Sequence, residues 1–234
     1  MENLVIPTPE FSLKLPISGH TIRYRPFLVR EEKLMLTLKE AKDNNMVLES
    51  LKKLMQLCIL EEYNVNDLAY TDFEYLFLNM RTRSIGESVD LEVPCSSCEK
   101  KTPCSLDLNE VSEAISNTEL PETSIMLTEQ IGVIVKPLDL RHAGVALNLT
   151  EKDQLKGVAL FIDKIYTKDE VHTFAELFPQ QQNAFIDSLS MKHLTKITDR
   201  VNEFPSLSAK IDYTCTHCGH SGSHAVEGLE NFFT

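Results

Sequence analysis

Residues 95–104 read CSSCEKKTPC and residues 215–218 read CTHC. How these cysteines are used decides how the chain is built. The first pair follows SVDLEV (88–93), in which Val89, Leu91 and Val93 alternate with polar residues. Ser105-Leu106-Asp107-Leu108 alternates again on the far side. Period-two alternation on both sides of a turn predicts a strand, a cysteine-bearing turn and a returning strand. The second pair has the same setting: Leu207, Ala209, Ile211 and Tyr213 alternate up to Thr214, and His224 to Glu227 can return as the partner strand. Each Cys-x-x-Cys therefore sits at the tip of a predicted hairpin, and the second is followed by Gly219, which can relieve the backbone after a tight turn.

A tight turn that aims two thiolates at one point is the form of a zinc knuckle, and two knuckles complete one tetrahedral site. Cys95, Cys98, Cys215 and Cys218 are the expected ligands of a structural Zn2+. Cys104, His217, His220 or His224 could replace one of them, and hairpins that hold no metal or a partly oxidised set are further alternatives. The intervening segment is far longer than the roughly 15 to 20 residues of a compact zinc ribbon, so the ion would clip two distant parts of the chain together. A thioredoxin-like redox pair belongs at the start of a helix in a βαβ setting, which neither pair has. Cys58, on a predicted apolar helix face, reads as a small core residue.

At 234 residues the chain can bury a core without covalent staples. No basic-then-apolar leader is visible in the proline-interrupted MENLVIPTPEFSLKLP (1–16), and no apolar run approaches the roughly 18 residues of a membrane span. The expectation is a soluble protein that stays where it is made, a reducing setting in which structural disulfides are rare. The formal net charge of −12 argues against phosphate-backbone binding, which draws on Lys and Arg. A zinc-ribbon nucleic-acid binder or regulator is the alternative reading.

Away from the cysteines, FSLKLPISGHTIRYRPFL (11–28) predicts a hairpin turning at Ser18-Gly19. Leu34, Leu38 and Ala41 behind Glu31-Glu32 predict a helix from Val29. A second helix is expected over roughly Met46 to Glu61 with Leu51, Leu54, Met55 and Cys58 on one face. A third begins after Thr71 or Asp72 as N-cap and carries Phe73, Leu76, Phe77 and Met80 inward. Residues 109–123 read as a short helix or loop, and SIMLTEQIGVIVKPLDL (124–140) as two strands. Glu151 to Lys164 reads as a helix, and 163–174 allows a small hairpin at Lys168-Asp169. Helices are expected over Pro179–Ser190 and Met191–Phe204, the latter ended by Pro205.

The expected class is α+β: a helical core with several β-hairpins, two of them cysteine-tipped and joined as a split zinc-ribbon-like site. A single domain is expected over 1–234, with subregions 10–87, 88–108, 124–204 and 207–228. No internal repeat stands out. No Gly-rich phosphate loop, nucleophile elbow or HExxH occurs, and Glu31-Glu32, Glu61-Glu62 and Asp169-Glu170 are neighbours only in sequence, so no enzyme activity is expected.

Three long stretches carry a resemblance: LPISGHTIRYRPFLVREEKLML (15–36), DFEYLFLNMRTRSIGESVDL (72–91) and the closing IDYTCTHCGHSGSHAVEGLENFF (211–233). Together, and in this order, they resemble the T4-type bacteriophage baseplate protein family. The resemblance implies a baseplate hub component or a hub assembly protein whose partners are other hub or hub-assembly proteins; homo-oligomerisation is compatible with it. The implied location is the host cell cytoplasm during tail assembly, or the virion baseplate. It draws attention to Tyr24, Arg25, Pro26 and Phe27, to Arg81, Arg83 and Glu87, and to Phe232-Phe233 beside the chain end, which either fold back or dock on a partner.

Overall fold

The structure, a computed structural model, describes residues 6–38, 43–149 and 157–229. Helices and strands are mixed along the chain, and the strand pairings of the described residues are antiparallel, which fits the α+β class. Contacts divide the chain into two compact units: Met1–Val65, Asp72–Asn117 and Ser206–Thr234 in the first, Asn66–Thr71 and Thr118–Pro205 in the second.

The first unit opens with β1 (Phe11–Lys14) paired antiparallel to β2 (Thr21–Tyr24), and Gly19 takes φ 67° in the turn. That turn is held from a distance. The wholly buried Asp72 accepts hydrogen bonds from the backbone N–H of Ile17 (2.8 Å) and Ser18 (3.0 Å). Asp72 lies inside helix α3 (Tyr70–Ser84) rather than capping it. Burial raises its pKa, while the donors from Ile17 and Ser18 work to lower it.

Helix α1 (Val29–Leu38) exists as expected, but its inward face differs. Leu34 is 55% exposed and Glu31 is 1% exposed, with Met35 also buried; Ala41 lies outside the described residues. The reason is electrostatic. Glu31 reaches back from the third helical position to the N–H of Leu28 (2.8 Å) and meets Arg25 Nη2 at 3.0 Å and Arg30 Nε at 2.7 Å, the backward half of a capping box. Burial opposes its ionisation, but the two guanidiniums and the Leu28 N–H outweigh it and hold the carboxyl below the usual range.

Helix α2 (Asn44–Gln56) is capped by Asp43, which accepts from the N–H of Asn45 and Met46, and it buries Leu48, Leu51, Leu54 and Met55. Cys58 follows, fully buried, and burial pushes its thiol up to about 11, so it is a core residue as read. Phe73, Leu76, Phe77 and Met80 of α3 are all inaccessible to solvent. Arg81, 2% exposed, donates from Nη1 to the carbonyl of Gly86 (2.9 Å) and closes the helix end. Strands β3 (Ser88–Pro94) and β4 (Lys101–Asp107) form the first cysteine hairpin, and α4 (Leu108–Asn117) follows with Leu108, Val111 and Ile115 buried.

The second unit holds a four-stranded antiparallel sheet in the order β5-β6-β7-β8: Ser124–Met126, Gly132–Val135, Ile162–Tyr166 and Val171–Thr173. Gly132 is required here, since any Cβ would collide with the ring of Tyr166, whose hydroxyl lies 2.6 Å from Ser124 Oγ. Helix α5 (Leu140–Leu147) follows β6, and α6 (Pro179–Ser188) and α7 (Met191–Val201) close the unit. The helix expected over Glu151–Lys164 is corrected in part. Residues 151–156 lie outside the described residues, Val158–Phe161 form a 3-10 turn, and Ile162 onward is strand β7. Ile162 and Ile165 are buried from the strand, paired with β6; short apolar runs fit either period, and the open strand edge decided this one.

In the first unit, β9 (Ser208–Thr214) and β10 (Ser221–Glu227) form the second cysteine hairpin. Both cysteine hairpins therefore belong to one compact unit, although most of the residues between them belong to the other.

Candidate metal centre

The two cysteine turns are built alike. In the first, the N–H of Cys95 donates to the carbonyl of Lys100 (3.0 Å) and the N–H of Glu99 to that of Cys95 (2.9 Å). In the second, Cys215 donates to His220 (2.8 Å) and Gly219 to Cys215 (3.0 Å). The fifth residue of each is left-handed, Glu99 at φ 60° and Gly219 at φ 73°, a conformation that favours glycine and costs any other residue about 1 kcal/mol or more. The N–H of Ser97 points at Cys95 Sγ and the N–H of His217 at Cys215 Sγ, both at 3.4 Å. Such N–H···S contacts orient ligating sulfurs and spread thiolate charge.

Across the hairpins, Cys95 Sγ lies 3.8 Å from Cys218 Sγ, and Cys98 Sγ 3.7 Å from Cys215 Sγ. All four sulfurs lie within 4.8 Å of one another. A tetrahedron with metal–sulfur bonds of 2.3 Å has edges of about 3.8 Å, which the two cross-hairpin separations match, and four cysteine sulfurs suit a soft divalent ion. Cys95 and Cys215 are buried, Cys98 is half-buried and Cys218 is exposed.

The acidities of the thiols fit the same demand. The Thr102 hydroxyl nearby, which lies outside ordinary hydrogen-bonding geometry, and then the N–H groups of Cys218 and His217 bring Cys215 down to about 5. Cys95 is lowered chiefly by the Ser97 N–H. At Cys98 the Lys100 N–H favours the thiolate, but loss of water and the neighbouring sulfurs push the thiol up to about 12. Four thiolates at this spacing cannot share the site without a cation, whereas a divalent ion lets all four ionise.

Around the sulfurs, Val93 and Tyr213 join Cys95 and Cys215 in a buried cluster, with Cys98 and Cys104 packed against it. Cys104 directs its thiol to the carbonyl of Thr102 at 3.7 Å. Tyr213 Oη accepts from the N–H of Ser96 (2.9 Å), and Ser96 Oγ lies 3.1 Å from His220 Nε2. This chain of contacts ties the hairpins together beside the sulfurs and was not legible beforehand, because hydroxyls in loops carry no periodic signal. Among the described residues, the four cysteines are the group of His, Cys, Asp or Glu side chains gathered closely enough to hold an ion. Four sulfurs fill a tetrahedron and leave no open position for substrate or water.

The other residues singled out are engaged internally. Tyr24 and Phe27 are buried, Arg25 pairs with Glu31, Arg81 holds Gly86, Arg83 lies over the Phe11 ring, and the carbonyl of Glu87 accepts from the N–H of Leu108. Phe232-Phe233 lies outside the described residues. Among the described residues, no helix is long and apolar enough to cross a membrane.

A family model described as T4 bacteriophage base plate protein matches residues 7–234. No curated protein and no solved structure matches the chain.

Proposed function

The chain belongs to the T4 bacteriophage base plate protein family, and from that premise we propose that it is a non-enzymatic protein of the baseplate hub, acting as a structural component or as a factor in hub assembly. The family match over nearly the whole chain is the observation that carries this reading. A structural phage protein needs shaped surfaces rather than a reaction centre, and the cysteine cluster offers sulfurs without an open coordination position. In this reading the partners are other hub or hub-assembly proteins, met in the host cytoplasm during tail assembly.

The same proposal assigns Cys95, Cys98, Cys215 and Cys218 as ligands of one structural zinc. The agreement between the cross-hairpin sulfur separations and a zinc tetrahedron supports the assignment. The ion would neutralise the four thiolates and fix the two hairpins against each other, while Tyr213, Ser96 and His220 set their register.

The test is affinity purification of the tagged chain from phage-infected cells, with elemental analysis of the product. Recovery of other hub proteins and about one zinc per chain is expected. Recovery of no phage protein overturns the hub reading, and zinc-free protein with six titratable thiols overturns the metal assignment. Salt-sensitive retention of DNA or RNA would instead favour a nucleic-acid binder, against which the net charge of −12 argues.

A further inference from the structure

The two cysteine hairpins correspond residue for residue. Ser88 pairs with Asp107 as Ser208 pairs with Glu227, and Pro94 pairs with Lys101 as Thr214 pairs with Ser221. Val93 and Tyr213 are buried at matching positions of the outgoing strands, and Leu106 and Val226 at matching positions of the returning ones. The turn hydrogen bonds, the left-handed fifth residue and the N–H···S contacts match as well. Exchanging Cys95 with Cys215 and Cys98 with Cys218 converts one cross-hairpin sulfur pair into the other, and the two separations differ by only 0.1 Å, 3.8 against 3.7 Å. This is the self-complementary geometry of a two-fold interface, formed here within one chain.

A second correspondence lies far from the cysteines. Ile22, Tyr24, Arg25, Pro26 and Arg30 in the first unit match Val133, Val135, Lys136, Pro137 and Arg141 in the second. Ile22 and Tyr24 are buried from β2 as Val133 and Val135 are from β6. The N–H of Arg25 donates to the carbonyl of Cys58 (2.9 Å), and the N–H of Lys136 to that of Phe161 (2.8 Å). The next pairing also agrees: Tyr24 bridges Ile59, and Val135 pairs with Ile162. Helices α1 and α5 begin at the same step, at Val29 and Leu140. Both segments therefore run hairpin, basic residue, proline, helix, and each second strand takes a later extended partner. Each later continues through a helix, α3 or α7, into a cysteine hairpin.

We propose that the chain is a tandem duplication of one module, and that the four-cysteine centre is assembled from two equivalent, interchangeable half-sites, one from the end of each copy. On this proposal the chain holds a repeat that does not stand out in its sequence. The repeat is hidden because few side chains agree, and what persists is the burial pattern, the proline and the backbone hydrogen bonding. Side-chain contacts break the symmetry: Tyr213 bonds the Ser96 N–H, whereas Val93, its counterpart, has no hydroxyl to offer Thr216, and Ser96 Oγ meets His220 Nε2, whereas Lys100 stands at the position matching His220. Those contacts distinguish the first hairpin from the second, while the backbone of the two turns stays equivalent.

The zinc readout of this proposal rests on the metal assignment above; the folding readout does not. The test exchanges the half-sites in the full chain. One variant carries Ser96→Thr, Ser97→His, Glu99→Gly, Lys100→His and Lys101→Ser, which writes the second turn into the first. The reciprocal variant carries Thr216→Ser, His217→Ser, Gly219→Glu, His220→Lys and Ser221→Lys. Both are expected to bind the same amount of zinc per chain as the parent and to melt within about 8 °C of it, the reciprocal variant lower because it loses the His220 contact and places Glu at a left-handed position. Zinc loss or unfolding in either variant, with a zinc-loaded parent, overturns the equivalence. If the parent itself holds no zinc, the metal assignment fails separately, and the melting temperatures alone decide whether the turns are interchangeable.

Discussion

Withdrawing the metal is the perturbation whose size the structure sets most directly. The proposed zinc would join Cys95 and Cys98 to Cys215 and Cys218, closing a loop of about 120 residues, and loop-closure entropy for that length corresponds to about 5 kcal/mol. Contacts that outlast the ion, such as the Ser96 N–H to Tyr213 Oη bond of 2.9 Å, reduce the loss, so about 5 kcal/mol is an upper figure for this term. A chain of this size shifts its melting temperature by roughly 2–4 °C per kcal/mol, and chelation should therefore lower it by up to about 10–20 °C through this term. Calorimetry on zinc-loaded and chelator-stripped samples, each with its zinc counted, reads the shift. Cys218→Ser should lose most of this chelator sensitivity, whereas Cys58→Ser, buried among other side chains away from the centre, should lower stability yet keep it. A stripped sample that melts within about 3 °C of the loaded one would refute the reasoning, because the hairpins would then be held by ordinary packing.

Three further outcomes are expected. Glu31→Gln should destabilise the fold by about 3 kcal/mol at neutral pH, because it leaves the nearly buried Arg25 without its carboxylate. Since the folded pKa of Glu31 is lowered, the native contribution is present above the unfolded value of about 4.3 and is lost as pH falls through the folded pKa. The gap between urea titrations of parent and variant should therefore begin to narrow as pH falls below about 4 and close only below the folded pKa, and a constant gap would speak against the ion pair. Asp72→Ala strips the N–H groups of Ile17 and Ser18 of their acceptor and should cost about 2–3 kcal/mol, with hydrogen exchange at those two amides rising first; unchanged protection would contradict this role. Tyr213→Phe should cost about 1 kcal/mol and speed zinc transfer to a competing chelator without changing stoichiometry, and an unaltered transfer rate would remove Tyr213 from the support of the centre.

What the sequence disclosed, and what it hid, follows from the range of the interactions involved. The cysteine hairpins were legible because alternation, a tight turn and thiols at fixed spacing are all local. Helix α3 was legible through its apolar spacing, but the use of Asp72 was not: its position suggested a cap, while its acceptors are filled by a turn more than fifty residues earlier. Glu31 misled in the same way. A buried carboxylate is explained only by Arg25 and Arg30 arriving beside it, and the exposure of Leu34 follows from that placement. Ile162 and Ile165 suit a helix or a strand equally until β6 supplies an edge. The proposed duplication left little trace in the sequence because it rests on backbone pairing and burial more than on side-chain identity.

The location of the second cysteine turn bears on synthesis. Ribosomes add about 5–20 residues per second, so roughly 100 residues and about 5–20 seconds separate completion of α4 from the appearance of Cys215 and Cys218. During that interval Thr118–Pro205 of the second unit are made, while Cys95 and Cys98 would wait with only half of the proposed ligand set. A prematurely terminated chain never receives the other half. On the proposed zinc assignment, metal capture would thus report that translation had passed Cys218.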